Sequence, residues 1–251
     1  MIRKFKFSQN NHYHICNRSN DESTIFIDER DWARFLFFIL AYQAPVPLFN
    51  LGRQSSYFIK HSKFNLNADI IREIISKRKV ELNTFAIMPN HFHLLVKERT
   101  ETGNGISWYL QRIQTGYAKY FNTKYGKRGH LFQGNFRAVP IENNDQLLYL
   151  STYIHRNPRE LLEWENNEHL YMWSSYQDYA SKNRWGNLLA PNIILDQFAT
   201  KKSYRNFVDT STAKLKQKGL YTEGFLLEKM RIQHSQYVRR RTSNNPTFNV
   251  G

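Results

Sequence analysis

Two largely apolar runs, Leu82–Met88 and His91–Lys97, are separated only by Pro89-Asn90. Proline presets φ for a tight turn and asparagine tolerates the backbone that follows, so the stretch reads as a hairpin of two strands. A hairpin in the middle of the chain commits that region to an antiparallel sheet. The spacing around it supplies the other layers. His12–Asn17 reads as a strand, with polar turn residues from Arg18 to Thr24. Trp32, Phe35, Leu36 and Ile39 recur at helical spacing, which predicts a helix over 28–43, and Pro45, Pro47 and Gly52 then break the pattern. Ile70, Ile71, Ile74 and Ile75 predict a second helical piece over 68–76. Ile106, Leu110, Ile113, Tyr117, Tyr120 and Phe121 fall on one stripe and predict a long helix over 105–124. A glycine-punctuated basic loop spans 126–134, a strand is predicted over 135–141, and a helix from 143 or 144 to Arg156 ends before Pro158. The remainder reads as helical and polar, with a weak boundary over 181–190. This order predicts an α+β core.

Composition narrows the class. The chain has 251 residues, 41% hydrophobic and 15% aromatic, too rich in apolar residues for a disordered tail. No apolar run approaches the ~20 residues of a membrane helix, and the N-terminus lacks the apolar segment of a secretion signal. A single cysteine, Cys16, excludes an internal disulfide and any multi-cysteine zinc site. These features predict a soluble, cytoplasmic protein with no membrane partner. The formal net charge is +15 and the pI is near 9.8. Nearly all of that charge sits in two segments: 97–137, with eight lysines and arginines against two glutamates, and 201–251, with eleven against three acids. Such clustering favours a polyanion partner, nucleic acid by default, because each neutralised phosphate releases counterions.

Chemistry concentrates in Met88-Pro89-Asn90-His91-Phe92-His93-Leu94-Leu95-Val96. In a strand His91 and His93 point to one face, some ~7 Å apart, and can ligate a single ion. Two hydrogen-bonded histidines on a hairpin would give the same pattern, and His12-x-His14 repeats the spacing, so neither pair is decisive alone. On the 143–156 helix, Leu147, Leu150 and Ile154 form a buried stripe, while Tyr149, Tyr153 and Asn157 follow one another at four-residue steps on the adjoining face. Tyrosine at its free pKa near 10 is a poor nucleophile without metal help or alignment, and with fifteen tyrosines in the chain spacing alone does not select one.

Three spaced motifs resemble single-tyrosine HUH transposases, with the nearest likeness to the REP-associated tyrosine transposase branch. They are Pro89-Asn90-His91-Phe92-His93-Leu94-Leu95, Gly129-His130-Leu131-Phe132-Gln133-Gly134-Asn135-Phe136 and Tyr153-Ile154-His155-Arg156-Asn157-Pro158, in the family's order. Tyr13-His14, Asn17-Arg18-Ser19-Asn20 and Ile25-Phe26 are similar to its opening strand and turn. The resemblance covers about residues 8–180 and leaves 181–251 as a helical basic extension, a candidate for DNA binding, that includes Arg239-Arg240-Arg241. It implies a ferredoxin-like or RRM-like antiparallel sheet flanked by helices. It implies that His91 and His93 bind a divalent ion, Mg²⁺ or Mn²⁺, and that Tyr153 attacks a DNA phosphate to give a 5′-phosphotyrosine and a free 3′-hydroxyl. The third ligand in mobile members is a glutamine; Asn157 offers the same carbonyl on a shorter arm. The implied partner is single-stranded or hairpin DNA, gripped by Arg112, Lys119, Lys127, Arg128 and Arg137, with the protein a monomer or homodimer. Two other readings stay open: a non-catalytic nucleic-acid-binding module on an RRM-like sheet, and a metal-dependent nuclease that uses water.

Overall fold

A computed structural model describes residues 5–213. The chain runs β1 (His12–Arg18), α1 (Glu29–Ala41), α2 (Leu51–His61), α3 (Ala68–Lys77), β2 (Val80–Met88), β3 (His91–Glu98), α4 (Gly105–Tyr125), β4 (Arg137–Pro140) and α5 (Asn144–His155). Short 3₁₀ turns and the small helices α6 (Tyr176–Ala180), α7 (Asn192–Leu195) and α8 (Lys201–Asp209) follow. The four strands form one antiparallel sheet in the order β2-β3-β1-β4, with β1 and β3 central. This is the strand order of a ferredoxin-like α+β sheet, as the resemblance implies. Among the described residues no helix is long and apolar enough to cross a membrane.

The two faces of the sheet are covered by different helices. Phe92 of β3 meets Phe35 of α1 at 5.1 Å between ring centroids, and Phe35 meets Tyr117 of α4 at 5.1 Å. His93, the next residue along β3, faces Tyr153 of α5 at 5.6 Å. Adjacent strand residues point to opposite faces, so α1 and α4 form one layer and α5 the other. That is why β2 and β3 are almost wholly buried and read as continuous apolar runs, while β1 alternates. Each edge-to-face aromatic pair adds about 1 kcal/mol beyond its buried area.

Helix starts follow from side chains that satisfy orphan N–H groups. Asp28 accepts from Arg30 and Asp31 at the head of α1, and Asp31 accepts from the backbone of Ile27 and Asp28. Glu98, fully buried at the end of β3, accepts from the backbone N–H groups of Thr100, Gly105 and Ile106 and so anchors the head of α4. Asn143 caps α5 through Gln146 N–H.

Three expectations need correction. Pro45 and Pro47 do follow the end of α1 at Ala41, but a helix that the sequence did not predict, α2, starts soon after them and contains Gly52. That helix has only Ser55 and Phe58 buried, too few apolar positions to show a stripe, and Phe58 fixes it against Phe37 and Trp185. β4 is shorter than 135–141, starting after Gly134 at φ +60° and pairing only as far as Pro140, although Ile141 N–H still donates to His12. The stretch after Pro158 is neither polar nor simply helical. It supplies the missing partner of the β2 edge: Ile87 N–H donates to Trp173, Ser175 N–H to Phe85 and Ala190 N–H to Leu82. Tyr171 and Tyr179 donate their hydroxyls to Ile87 and Asn83 carbonyls. An apolar edge strand left open would invite pairing with other chains, and this aromatic cover closes it.

One hydrophobic core extends from Phe7 to Ala213. The expected boundary between 180 and 181 falls inside it, since Trp185 packs on Phe58 and Phe64 and Gln43 donates to Leu188. The remainder of the expected extension, 214–251, lies outside the described residues.

Gly105, at the head of α4, is packed too tightly to accept a side chain. A Cβ there would stand 2.3 Å from Glu98 Oε1 and 2.4 Å from the Lys79 carbonyl. Gly105→Ala should therefore cost about 2 kcal/mol or more in urea unfolding. A loss below about 0.5 kcal/mol would show that the Glu98 anchor yields freely.

Candidate active site

The hairpin turn is held from outside. Pro89 O accepts from Ile25 N–H at 3.0 Å, Asn90 O from Ser19 N–H at 2.7 Å, and Asn90 Nδ2 donates to Glu22 O at 2.9 Å. Asn20 N–H donates to Leu131 O and Gln133 N–H to Arg18 O, both at 2.9 Å. Three of the sequence motifs, around residues 17–26, 89–95 and 129–136, thus converge at one end of the sheet. Asn90 Oδ1 can only accept, so its 2.7 Å bond to His91 Nδ1 puts the proton on Nδ1 and the lone pair on Nε2.

Register brings the remaining groups together. Cys16 lies opposite His93 on one side and Arg137 on the other, so β3, β1 and β4 present these three side chains in a row on one face. His14, two residues before Cys16, shares that face, and its Nε2 lies 2.9 Å from His93 Nδ1. The His91 and His93 rings stand perpendicular with centroids 5.2 Å apart. Tyr153 arrives from α5 and sets its ring edge-on to both His93 (5.6 Å) and His14 (6.0 Å). It is 9% exposed, and His14 and Cys16 are half-buried. The β3 pair His91 and His93 and the α5 residue Tyr153, far from them in sequence, thus lie on one side of the sheet, with Tyr153 against His93. Tyr149 is half-buried one turn earlier on α5.

The end of α5 is fixed by buried polar groups. Asn157 is fully buried, and its Nδ2 donates to Tyr153 O at 2.8 Å, while its Oδ1 has no hydrogen-bond partner. The side chain thus holds the backbone of the tyrosine's own turn and carries one orphan acceptor. Arg156, for all its charge, turns inward and donates to the carbonyls of Val208 and Ser211. His155 is enclosed, bonded to Tyr204 Oη at 2.7 Å and Ser175 Oγ at 2.8 Å, and Ser175 Oγ in turn accepts from Phe85 N–H. Burial lowers its pKa from 6.5 to about 3.

The candidate DNA contacts divide between layers. Arg137 lies exposed on β4 in the row of Cys16 and His93. Lys127 and Arg128 are exposed in the loop after α4, with Lys127 Nζ 5.5 Å from the Phe121 ring. Arg112 and Lys119 belong to α4, in the layer across the sheet from Tyr153. Lys119 is exposed, whereas the Arg112 guanidinium stacks on Tyr42 and Trp108 at 4.6 and 4.8 Å. The charge of Lys124 is matched within the fold by Asp28 and Asp31 at 2.8 and 2.7 Å. Burial pushes the Asp31 carboxyl up, but Lys124 and the Tyr125 hydroxyl outweigh it and hold Asp31 below its ordinary value.

His14 and Cys16 are the site-facing groups that sequence reasoning left out. The signal was present: an alternating His-x-Cys on a strand whose partner carries His-x-His.

With this geometry in view, residues 53–157 match the model of a family described as IS200-like transposases. The chain resembles IS200-like transposases. The matched segment runs from α2 through the hairpin and ends on Asn157, so it holds His91, His93 and Tyr153. A solved structure described as a REP-associated tyrosine transposase bound to a REP hairpin is similar at 14% identity and a TM-score of 0.48, over 77% of this chain and 92% of that one. No curated protein matches the chain.

Acid should loosen the support behind this transposase-like site. Below pH 6.5 the unfolded chain takes up a proton at His155 that the folded chain refuses until about pH 3, so stability present above 6.5 is lost as pH falls through that window. His12, lowered to about 4 by burial and by Lys97, adds to the same slope. Urea unfolding between pH 7 and 4 should show this loss, and His155→Gln should flatten it. An unchanged slope in that variant would contradict the buried neutral imidazole.

Proposed function

We propose that this protein is a metal-dependent single-tyrosine transposase that cleaves and rejoins single-stranded, hairpin-bearing DNA. The packing of Tyr153 against His93, itself beside His91, carries the reading. A tyrosine on one layer and a histidine pair on a strand of the sheet below it can bracket a phosphodiester between them. Tyr153 Oη attacks phosphorus in line, the bond to the 3′-oxygen breaks, and that oxygen leaves as a free 3′-hydroxyl after protonation. The DNA stays joined to the protein as a 5′-phosphotyrosine. Attack by a 3′-hydroxyl reverses the step and frees Tyr153, so no ATP is needed.

The residues present fit a divalent ion. His91 and His93 offer imidazoles, and Asn157 Oδ1 is a buried acceptor without a partner. Such a set suits Mn²⁺ better than Mg²⁺, which prefers oxygen and would keep water and substrate phosphate in its shell. A bound ion would supply Lewis-acid neutralisation of the phosphate charge. The chain does the rest. Asn90 fixes the His91 tautomer, His14 holds the His93 ring, and Asn157 holds the turn that carries Tyr153. Arg137, Lys127 and Arg128 grip the DNA backbone on the open side, where contacts to phosphate position rather than specify. Arg112 and Lys119, in the other layer, extend the grip along α4.

Incubation with hairpin-bearing single-stranded DNA and Mn²⁺ should yield an adduct that survives a denaturing gel. Tyr153→Phe should abolish it while hairpin affinity changes by less than about twofold. An adduct persisting in that variant would sink the assignment and point to Tyr149; binding without any adduct in the native protein would favour a non-catalytic module. His91→Ala and His93→Ala should each lower metal-dependent cleavage by about a hundredfold or more. Undiminished nicking, or cleaved strands with both ends free, would instead indicate a nuclease using water.

A further inference from the structure

A second ligand set lies beside the histidine pair. His14 and Cys16 of β1 and His93 of β3 each offer one ligand atom, and the three atoms lie within 4.8 Å of one another. The sheet register creates the set: Cys16 stands opposite His93, and His14 is the next residue of β1 on the same face. His14 Nε2 and His93 Nδ1 are 2.9 Å apart. At Zn–N bonds of ~2.05 Å that separation subtends roughly 90°, and opening to a tetrahedral angle needs only about 0.4 Å more. A thiolate completes such a set at ~3.6 Å from each nitrogen, within reach of a side-chain adjustment. His91 is not in this set, and Cys16 is not in the histidine pair.

The donors differ in kind from those a Mg²⁺ site uses. Two imidazoles and a thiolate select a borderline-soft ion, and three protein ligands leave a fourth position open. We infer that His14, Cys16 and His93 form a separate site for an ion of the Zn²⁺ class, and that it shares His93 with the His91/His93 pair. An ion seated there takes over the Nδ1 that His14 now meets and sets a second positive centre beside the first. Zinc therefore acts as an inhibitor of strand transfer. This last consequence rests on the transposase reading; the metal site itself does not.

Cobalt(II) on the full-length protein is the probe, because Cys16 is the chain's single cysteine and any thiolate band must come from it. One thiolate-ligated Co²⁺ should bind per chain, with a charge-transfer band in the near ultraviolet and tetrahedral bands in the visible, all displaced by Zn²⁺. Cys16→Ser should lose the charge-transfer band, His14→Asn should weaken binding by about tenfold or more, and His91→Ala should keep the spectrum. The site is refuted if the native protein gives no thiolate band, if one ion binds two chains through sulfur, or if His91→Ala removes the spectrum as fully as Cys16→Ser does. In a second readout, Zn²⁺ should inhibit Mn²⁺-supported DNA cleavage by the native protein and inhibit Cys16→Ser at least tenfold less. Equal inhibition of both would overturn the coupling. If no cleavage occurs in any metal, the transposase reading fails while the cobalt spectrum still decides the site.

Discussion

Pairing of β1 with β3 in one fixed register is the constraint on which the rest of the molecule depends. With Cys16 opposite His93, the side chains of His14, Cys16, His91 and His93 share a face, and Tyr13, Ile15, Phe92 and Leu94 take the other. A slip of one residue between these strands would turn the β1 set to the opposite face from the β3 set. Burial prevents it, because Ile15, Phe92 and Leu94 are enclosed beneath α1 and α4 and cannot be exchanged for imidazoles at tolerable cost. The hydrophobic layer thus sets the address of the polar one. The edges add a second lock: β4 flanks β1, and the aromatic segment from Tyr171 to Ala190 occupies the outer edge of β2.

The buried polar groups behind α5 extend that logic to the tyrosine. His155, Arg156 and Asn157 are consecutive, fully or almost fully buried, and bonded respectively to Tyr204 and Ser175, to the carbonyls of Val208 and Ser211 at the end of α8 and just beyond it, and to the turn of Tyr153. Each bond would leave a desolvated group behind if broken, so the end of α5 has little freedom to shift. A nucleophile that must meet phosphorus in line needs such a backing, since misplacement by about 1 Å costs orders of magnitude in rate. Arg156 illustrates how residue type alone misleads: its guanidinium serves the fold and adds nothing to the basic surface.

Much of this was legible in the residues. The hairpin, the long helix and the capped helix carrying Tyr153 followed from turn chemistry and from stripes such as Ile106, Leu110 and Ile113, because those elements bury one strong face each. What escaped depends on contacts between distant segments. The α2 helix has Phe58 as its one fully buried apolar residue, and part of that residue's packing comes from Trp185, far along the chain. The cover on β2 was hidden because tyrosines that donate to strand carbonyls look, in sequence, like any other tyrosines. His14 and Cys16 were passed over for the same reason. Neither has meaning until the register sets them beside His93. The basic clusters spoke of a polyanion but not of layers, and the sheet separates Arg137 from Arg112.

The central claim is that Tyr153, seated over His14 and His93, is the group that joins DNA. Mass spectrometry of the trypsin-digested covalent complex, formed on a hairpin-bearing single strand in Mn²⁺, tests it most directly. The account predicts a nucleotide attached through a phosphate to Tyr153 and to no other tyrosine. An adduct mapped to Tyr149, or cleaved DNA with no modified peptide, would contradict it.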